Sequence, residues 1–228
     1  MGMMVSYKQS GVVGEGYFAA PEHGKGPAVI VIQEWWGLVG HIIDVVDRFA
    51  SAGFVAFAPD LYHGQAASEP DTAKKLMMEL KLDLAGEEIT NAATYLLTLA
   101  QTNSSSVGVV GFCMGGSLAI WSGTLSEKIT ATVGFYPGAS WERHAPLWKN
   151  YKGKEAIIHC AEGDGTSSAP GIQEAVHQIK AAGGTAEAYD YPGTRHAFFN
   201  GDRPEVFDPI SAALSWERTL EFFQLNLK

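Results

Sequence analysis

Cysteine is scarce. Cys113 and Cys160 are the two in a chain of 228 residues. That is too few for a disulfide framework at this size, so reduced thiols are expected. Positive charge is also short: 16 Lys and Arg stand against 25 Asp and Glu, for a formal net charge of −9. Nucleic-acid and anionic-membrane surfaces need clustered Lys and Arg, so neither partner is expected. The longest apolar runs are strand-sized, which argues against a membrane span. The opening Met1–Gly2–Met3–Met4–Val5–Ser6–Tyr7–Lys8 lacks the basic-then-apolar layout of a signal peptide. Together these absences predict a soluble, cytoplasmic protein. No linker, repeat or low-complexity tract interrupts the pattern, so one domain over 1–228 is expected. No His/Cys/Asp grouping has a metal-ligand spacing, and no metal is expected.

What is present is alternation. Pro27–Ile32 and Phe54–Ala58 are continuous apolar runs, as in strands buried on both faces of a parallel sheet. Further strands are expected at Gly14–Ala20, Ser105–Phe112, Ile129–Phe135, Glu155–Cys160 and Ala186–Tyr191. Between them, helical spacing marks 39–52 (closed by Gly53), a helix-rich 72–102 broken near Leu84–Gly86 with Asp71 as N-cap, 114–125, a helix through Ile172, Ala175, Val176 and Ile179, and a last one near 209–225. Strand–helix alternation predicts an α/β fold, with a mostly parallel central sheet flanked by helices on both faces.

One stretch organises the rest: Val110–Gly111–Phe112–Cys113–Met114–Gly115–Gly116. It sits between a β-branched run and an apolar helical run. Small residues two before and two after Cys113 match the small-x-nucleophile-x-small pattern of a nucleophile elbow, with Cys where Ser is commoner. The strand-to-helix turn is tight enough to strain the nucleophile and to exclude a β-carbon at the ±2 positions. The backbone N–H of Met114, at the helix start, would then face a developing oxyanion. The bland alternative is that Cys113 is a small buried hydrophobe.

The rest of the chain weighs against that alternative. Asp164 follows the strand ending at Cys160, and His196 follows the strand ending at Tyr191. Nucleophile, acid, histidine is the order of an α/β-hydrolase triad, in which a thiolate attacks a carbonyl, the imidazole moves the proton and the carboxylate fixes the imidazole. Of the other histidines, His23 and His63 read as turn residues. His41, His144 and His177 read as helix or loop surface, and His159 and Cys160 as packing. Glu34, Trp35 and Trp36 end a buried strand, where ligand sites of open α/β sheets lie.

Gln33–Glu34 with Gly37, Pro59–Asp60–Leu61–Tyr62, Gly111-x-Cys113-x-Gly115–Gly116, the Asp164 turn and His196–Ala197–Phe198 together resemble the dienelactone hydrolase (carboxymethylenebutenolidase) family, over about 14 to 225. The resemblance implies a triad of Cys113, Asp164 and His196. It makes Glu34 an extra carboxylate that helps to deprotonate the thiol, and the backbone N–H of Trp35 the second oxyanion donor opposite Met114. It implies hydrolysis of a small-molecule ester or lactone through a cysteine thioester, without a cofactor. Two arginines that the family aims at a substrate carboxylate are replaced by Gly64 and Asn200. Arg195 or Arg203 could supply that charge, or both could be ordinary loop arginines. Trp36, Tyr62 and Phe198 complete the candidate substrate-binding residues, although aromatic residues also serve as core filler. Two other readings stay open: a broader carboxylesterase or thioesterase with the same triad, and a non-catalytic or redox-responsive ligand-binding protein. A monomer or small homo-oligomer fits either.

Overall fold

The apolar run at 27–32 is a strand buried on both faces. Ala28, Ile30 and Ile32 join one core cluster with Ala85, Ile89 and Ala92, while Val29 and Val31 join another with Val45, Val46 and Phe49. All five strand residues are fully buried. That period-two division places helices on both sides of the sheet.

The computed structural model describes residues 2–9, 12–138 and 141–228. Its strands are β1 (Met3–Gln9), β2 (Val12–Ala19), β3 (Gly26–Ile32), β4 (Val55–Pro59), β5 (Thr102–Phe112), β6 (Ile129–Phe135), β7 (Glu155–Ala161) and β8 (Thr185–Tyr191). The helices are α1 (Gly40–Ser51), α2 (Pro70–Glu79), α3 (Leu82–Leu96), α4 (Met114–Ser122), α5 (Pro170–Ala181) and α6 (Pro209–Asn226). The strands form one sheet in the order β1-β2-β4-β3-β5-β6-β7-β8. β1 and β2 are an antiparallel edge, β2 runs antiparallel to β4, and every neighbouring pair from β4 to β8 is parallel. α1 and α6 supply the core on one face; α3, α4 and α5 supply it on the other.

The chain steps from β3 outward to β4, then returns to lay β5 on the opposite side of β3. Strand order reverses there, so a crevice opens between the C-terminal ends of β3 and β5. Glu34 and Cys113 lie at those two ends.

Most expected elements are present, with shifted bounds. α1 ends as expected at Gly53 (φ +94°), with the N–H of Phe54 bonded to the carbonyl of Phe49 at 3.0 Å. Two expectations need correction. The helical break falls at Leu80–Lys81 rather than at Leu84–Gly86, which α3 contains. Asp71 is not the N-cap of α2: Glu69 is, with Pro70 opening the helix and Asp71 in its first turn. The edge strand β1 is an addition to the expected elements: Met3 and Met4 are exposed, and Tyr7 is its one buried side chain. Among the described residues no helix is long and apolar enough to cross a membrane.

Candidate active site

The elbow is built by close backbone approach. A β-carbon on Gly111 would lie 1.9 Å from the carbonyl oxygen of Gly115, and one on Gly115 would lie 2.4 Å from that of Gln33. No side chain fits at either position. Cys113 sits at φ 56°, ψ −118°, a conformation costing about 1–3 kcal/mol in an L-residue. It is held there from both sides: its N–H donates to the carbonyl of Phe135 at 3.0 Å, and its own carbonyl accepts from Gly116 at 3.0 Å. The helix starts at Met114 with its first N–H groups unspent inside the helix. Among the described residues, the backbone N–H groups of Met114 and Trp35 enter no loop or turn hydrogen bond.

Asp164 closes a short 3₁₀ turn after β7, and His196 lies in the loop after β8. The two loops are sewn together. The N–H of Gly163 donates to the carbonyl of Thr194 at 3.0 Å, and that of Gly193 to Glu162 Oε2 at 2.7 Å. So held, His196 Nδ1 meets Asp164 Oδ2 at 2.6 Å. Burial disfavours the imidazolium, but the hydrogen bond to Asp164 and the nearness of Cys113 outweigh that, and the His196 pKa is raised to about 10. Cys113, Asp164 and His196, far apart in sequence, therefore converge.

Glu34 is 1% exposed, and Oε2 accepts from Asn200 Nδ2 at 2.8 Å. Burial raises its pKa to about 6, against the Asn200 bond and the nearby His196 and Arg203, which pull it down. Asn200 is buried too. Asn200 stands where the family resemblance expects an arginine; in the fold it is the partner of Glu34. Gly64 presents no side chain, and its N–H donates to Asp60 Oδ2 at 2.6 Å.

The candidate substrate residues divide. Trp35 and Trp36 are half-buried, edge to face at 5.0 Å, and pack with Tyr62, Leu76 and Met114. The hydroxyl of Tyr62 donates to Met114 Sδ at 3.5 Å, beside the elbow. Arg203 lies close enough to Glu34 and Tyr136 to influence both, with Nη2 paired to Glu205 Oε1 at 2.9 Å. Arg195 is exposed, and among the described residues its side chain makes no hydrogen bond or ion pair. Phe198 is not a pocket wall. The positive φ of Ala197 (67°) turns the chain inward, and Phe198 and Phe199 lie buried in the core beside Phe135 and Tyr136.

Two histidines also differ from expectation. His41 is buried against Phe112 and Phe199, which lowers its pKa to about 4. His144 is half-buried between Trp121 and Trp141. His159 and Cys160 are buried as expected, with His159 Nδ1 bonded to the Tyr191 hydroxyl at 2.7 Å.

The profile of the dienelactone hydrolase family matches residues 15–227. The chain belongs to the dienelactone hydrolase family. It is 36% identical to Protein usf of Aquifex pyrophilus, over 98% of each chain. It is 34% identical, over the full length of both, to an Aquifex aeolicus protein provisionally named a carboxymethylenebutenolidase. Among solved structures, a Klebsiella pneumoniae protein provisionally described as a dienelactone hydrolase superposes with a TM-score of 0.82 at 24% identity, over 98% of each chain. At that identity the superposition shows a shared fold, the α/β-hydrolase fold of the family.

Proposed function

We propose that this protein hydrolyses a small carboxylic ester or lactone through an acyl-Cys113 thioester. The observation that carries the reading is the convergence of an oriented imidazole, His196 on Asp164 at 2.6 Å, with a cysteine held at positive φ on an elbow. The Cys113 thiol gives up its proton to Glu34, whose raised pKa suits it as acceptor, or to His196. The thiolate attacks the carbonyl carbon, and the oxyanion is received by the backbone N–H groups of Met114 and Trp35. The C–O bond then breaks as His196 protonates the departing oxygen. Water, deprotonated by His196, attacks the thioester, frees the acid and returns the sulfur as thiolate. A thiolate leaves a tetrahedral intermediate more readily than an alkoxide does. Net turnover therefore needs a good leaving group, such as an enolate, and enol lactones fit.

A second reading, an esterase or thioesterase for substrates without a carboxylate, is favoured by three observations. Asn200 is committed to Glu34, Gly64 has no side chain, and Arg203 is already paired with Glu205. The test is a progress-curve panel of a carboxylate-bearing dienelactone, p-nitrophenyl acetate and an acyl thioester, with wild type and Cys113→Ala. Cys113→Ala is expected to abolish turnover while leaving the fold intact. Residual turnover near wild type removes Cys113 from the mechanism. Activity confined to the neutral ester or the thioester selects the second reading. No turnover of any of them by wild type returns the binding-protein reading.

A further inference from the structure

Among the described residues, the buried hydroxyl of Tyr136 has no hydrogen-bond partner. Tyr136 is 1% exposed, yet it is one residue beyond the end of β6 and next to the elbow. Phe112 and Phe135 are paired across β5 and β6, so the next residue of each strand is Cys113 and Tyr136. The N–H of Cys113 is bonded to the carbonyl just before Tyr136. Both residues have positive φ, 56° and 37°. The Tyr136 ring stands edge-on to the His196 imidazole, with centroids 5.0 Å apart.

Two costs thus fall on one residue. A non-glycine at positive φ is strained, and an unpaired buried hydroxyl forfeits its hydration. Phenylalanine would avoid the second cost. The phenol is kept protonated by burial and by the negative charges of Glu34 and Cys113, so it is a donor at every working pH. The backbone N–H of Phe199 also faces the phenol oxygen, but a donor cannot take up the phenol's own proton.

We propose that the Tyr136 hydroxyl is a donor held in reserve for the Cys113 thiolate, idle while the sulfur carries its proton and bonded to it once the proton has left. This rests on the reading of Cys113 as the nucleophile. A hydrogen bond available to the anion and not to the thiol favours ionisation by its own strength. It also helps Glu34 to work as the proton acceptor: the transfer leaves Glu34 neutral and moves the negative charge to the sulfur, where the phenol can hold it. The reserve donor needs no covalent step: the thiol proton goes to Glu34 or His196, and the phenol keeps its own.

The test is the pH dependence of Cys113 alkylation by iodoacetamide, followed by mass spectrometry of the Cys113 peptide, in wild type and Tyr136→Phe. Cys160 does not interfere, because burial raises its pKa to about 12. The titratable and charged groups near the sulfur (His196 and Tyr62) and near the phenol (Glu34 and Arg203) are the same in both proteins. Tyr136→Phe is expected to move the alkylation midpoint up by about one pH unit and to slow acylation about tenfold, with KM unchanged and thermal stability equal or higher. An unchanged midpoint and acylation rate overturn the proposal, as does a loss of stability with an unmoved midpoint, which would make the phenol structural. Should Tyr136→Phe fail to fold, wild type grown with 3-fluorotyrosine serves. A more acidic phenol is a stronger donor, and the midpoint should fall; no movement overturns the proposal. Loss of hydrolysis in Cys113→Ala beside an unaltered Tyr136→Phe sinks this inference alone. Hydrolysis surviving in Cys113→Ala sinks the reading of the nucleophile, while the midpoint still reports on the hydrogen bond.

Discussion

At the scale of single residues, the site stores its cost in Glu34. The carboxyl ionises near 4.5 in an open chain and near 6 here, because burial penalises the anion. Between those values the native state keeps a proton that the unfolded chain has released. Stability therefore falls as pH rises through that window, and a deficit of about 2 kcal/mol persists above it. Glu34→Gln removes the charge and leaves a carbonyl for Asn200 to bond. By urea unfolding it should match wild type at pH 4 and exceed it by about 2 kcal/mol at pH 8. A difference that does not change with pH would mean that burial does not hold the carboxyl up. The same variant should slow acylation more than substrate binding, and equal rates in stopped-flow would remove Glu34 from proton transfer. Cys113, Asp164 and His196 were legible as candidates from residue type and order, and Glu34 from its place at a strand end, its role following only from the family resemblance. Asn200 and Tyr136 were not, because an amide that bonds a carboxylate and a phenol with no partner leave no periodic trace. They emerge only once strands are laid side by side.

At the scale of elements, the turn from β5 into α4 depends on two glycines more than on the cysteine between them. A methyl group at 115 would meet the carbonyl oxygens of Gln33 at 2.4 Å and Ile32 at 2.6 Å. Neither acceptor is the end of a movable side chain. Gly115→Ala should cost about 3 kcal/mol or more in urea unfolding and push β3 away from the elbow, lowering kcat as well. A variant as stable as wild type would show that the backbone yields there. Elements with continuous apolar runs, such as β3 and β4, could be read from the sequence because both faces are buried. β1 could not, because an edge strand needs only one anchor, and Tyr7 is that anchor. The α2–α3 break was misplaced because it rests on backbone angles at Leu80 and Lys81, not on a glycine or proline.

Over the whole molecule, stability and chemistry are separable. Tyr7 pins the sheet edge by stacking on Tyr95 at 4.7 Å and donating its hydroxyl to the carbonyl of Glu88 at 3.2 Å. Tyr7→Ala should lose about 3 kcal/mol by thermal or urea unfolding, yet keep kcat at temperatures where it stays folded. A fall in kcat would show that the edge strand reaches the crevice. The crevice itself depends on the ladders between β3, β5 and β6. Ile32 pairs with Gly111, and Gly111 with Gly134; counting two residues on along each strand gives Glu34, Cys113 and Tyr136. Both ladders change register near the opposite end, between Gly26 and Ala28 and between Val107 and Gly108. These irregularities act as a phase setting for the rungs above them. Adding or deleting one residue there would alter nothing near the sulfur in composition. It would nevertheless deliver a different side chain, facing the other way, to the rung where the carboxylate or the phenol now stands.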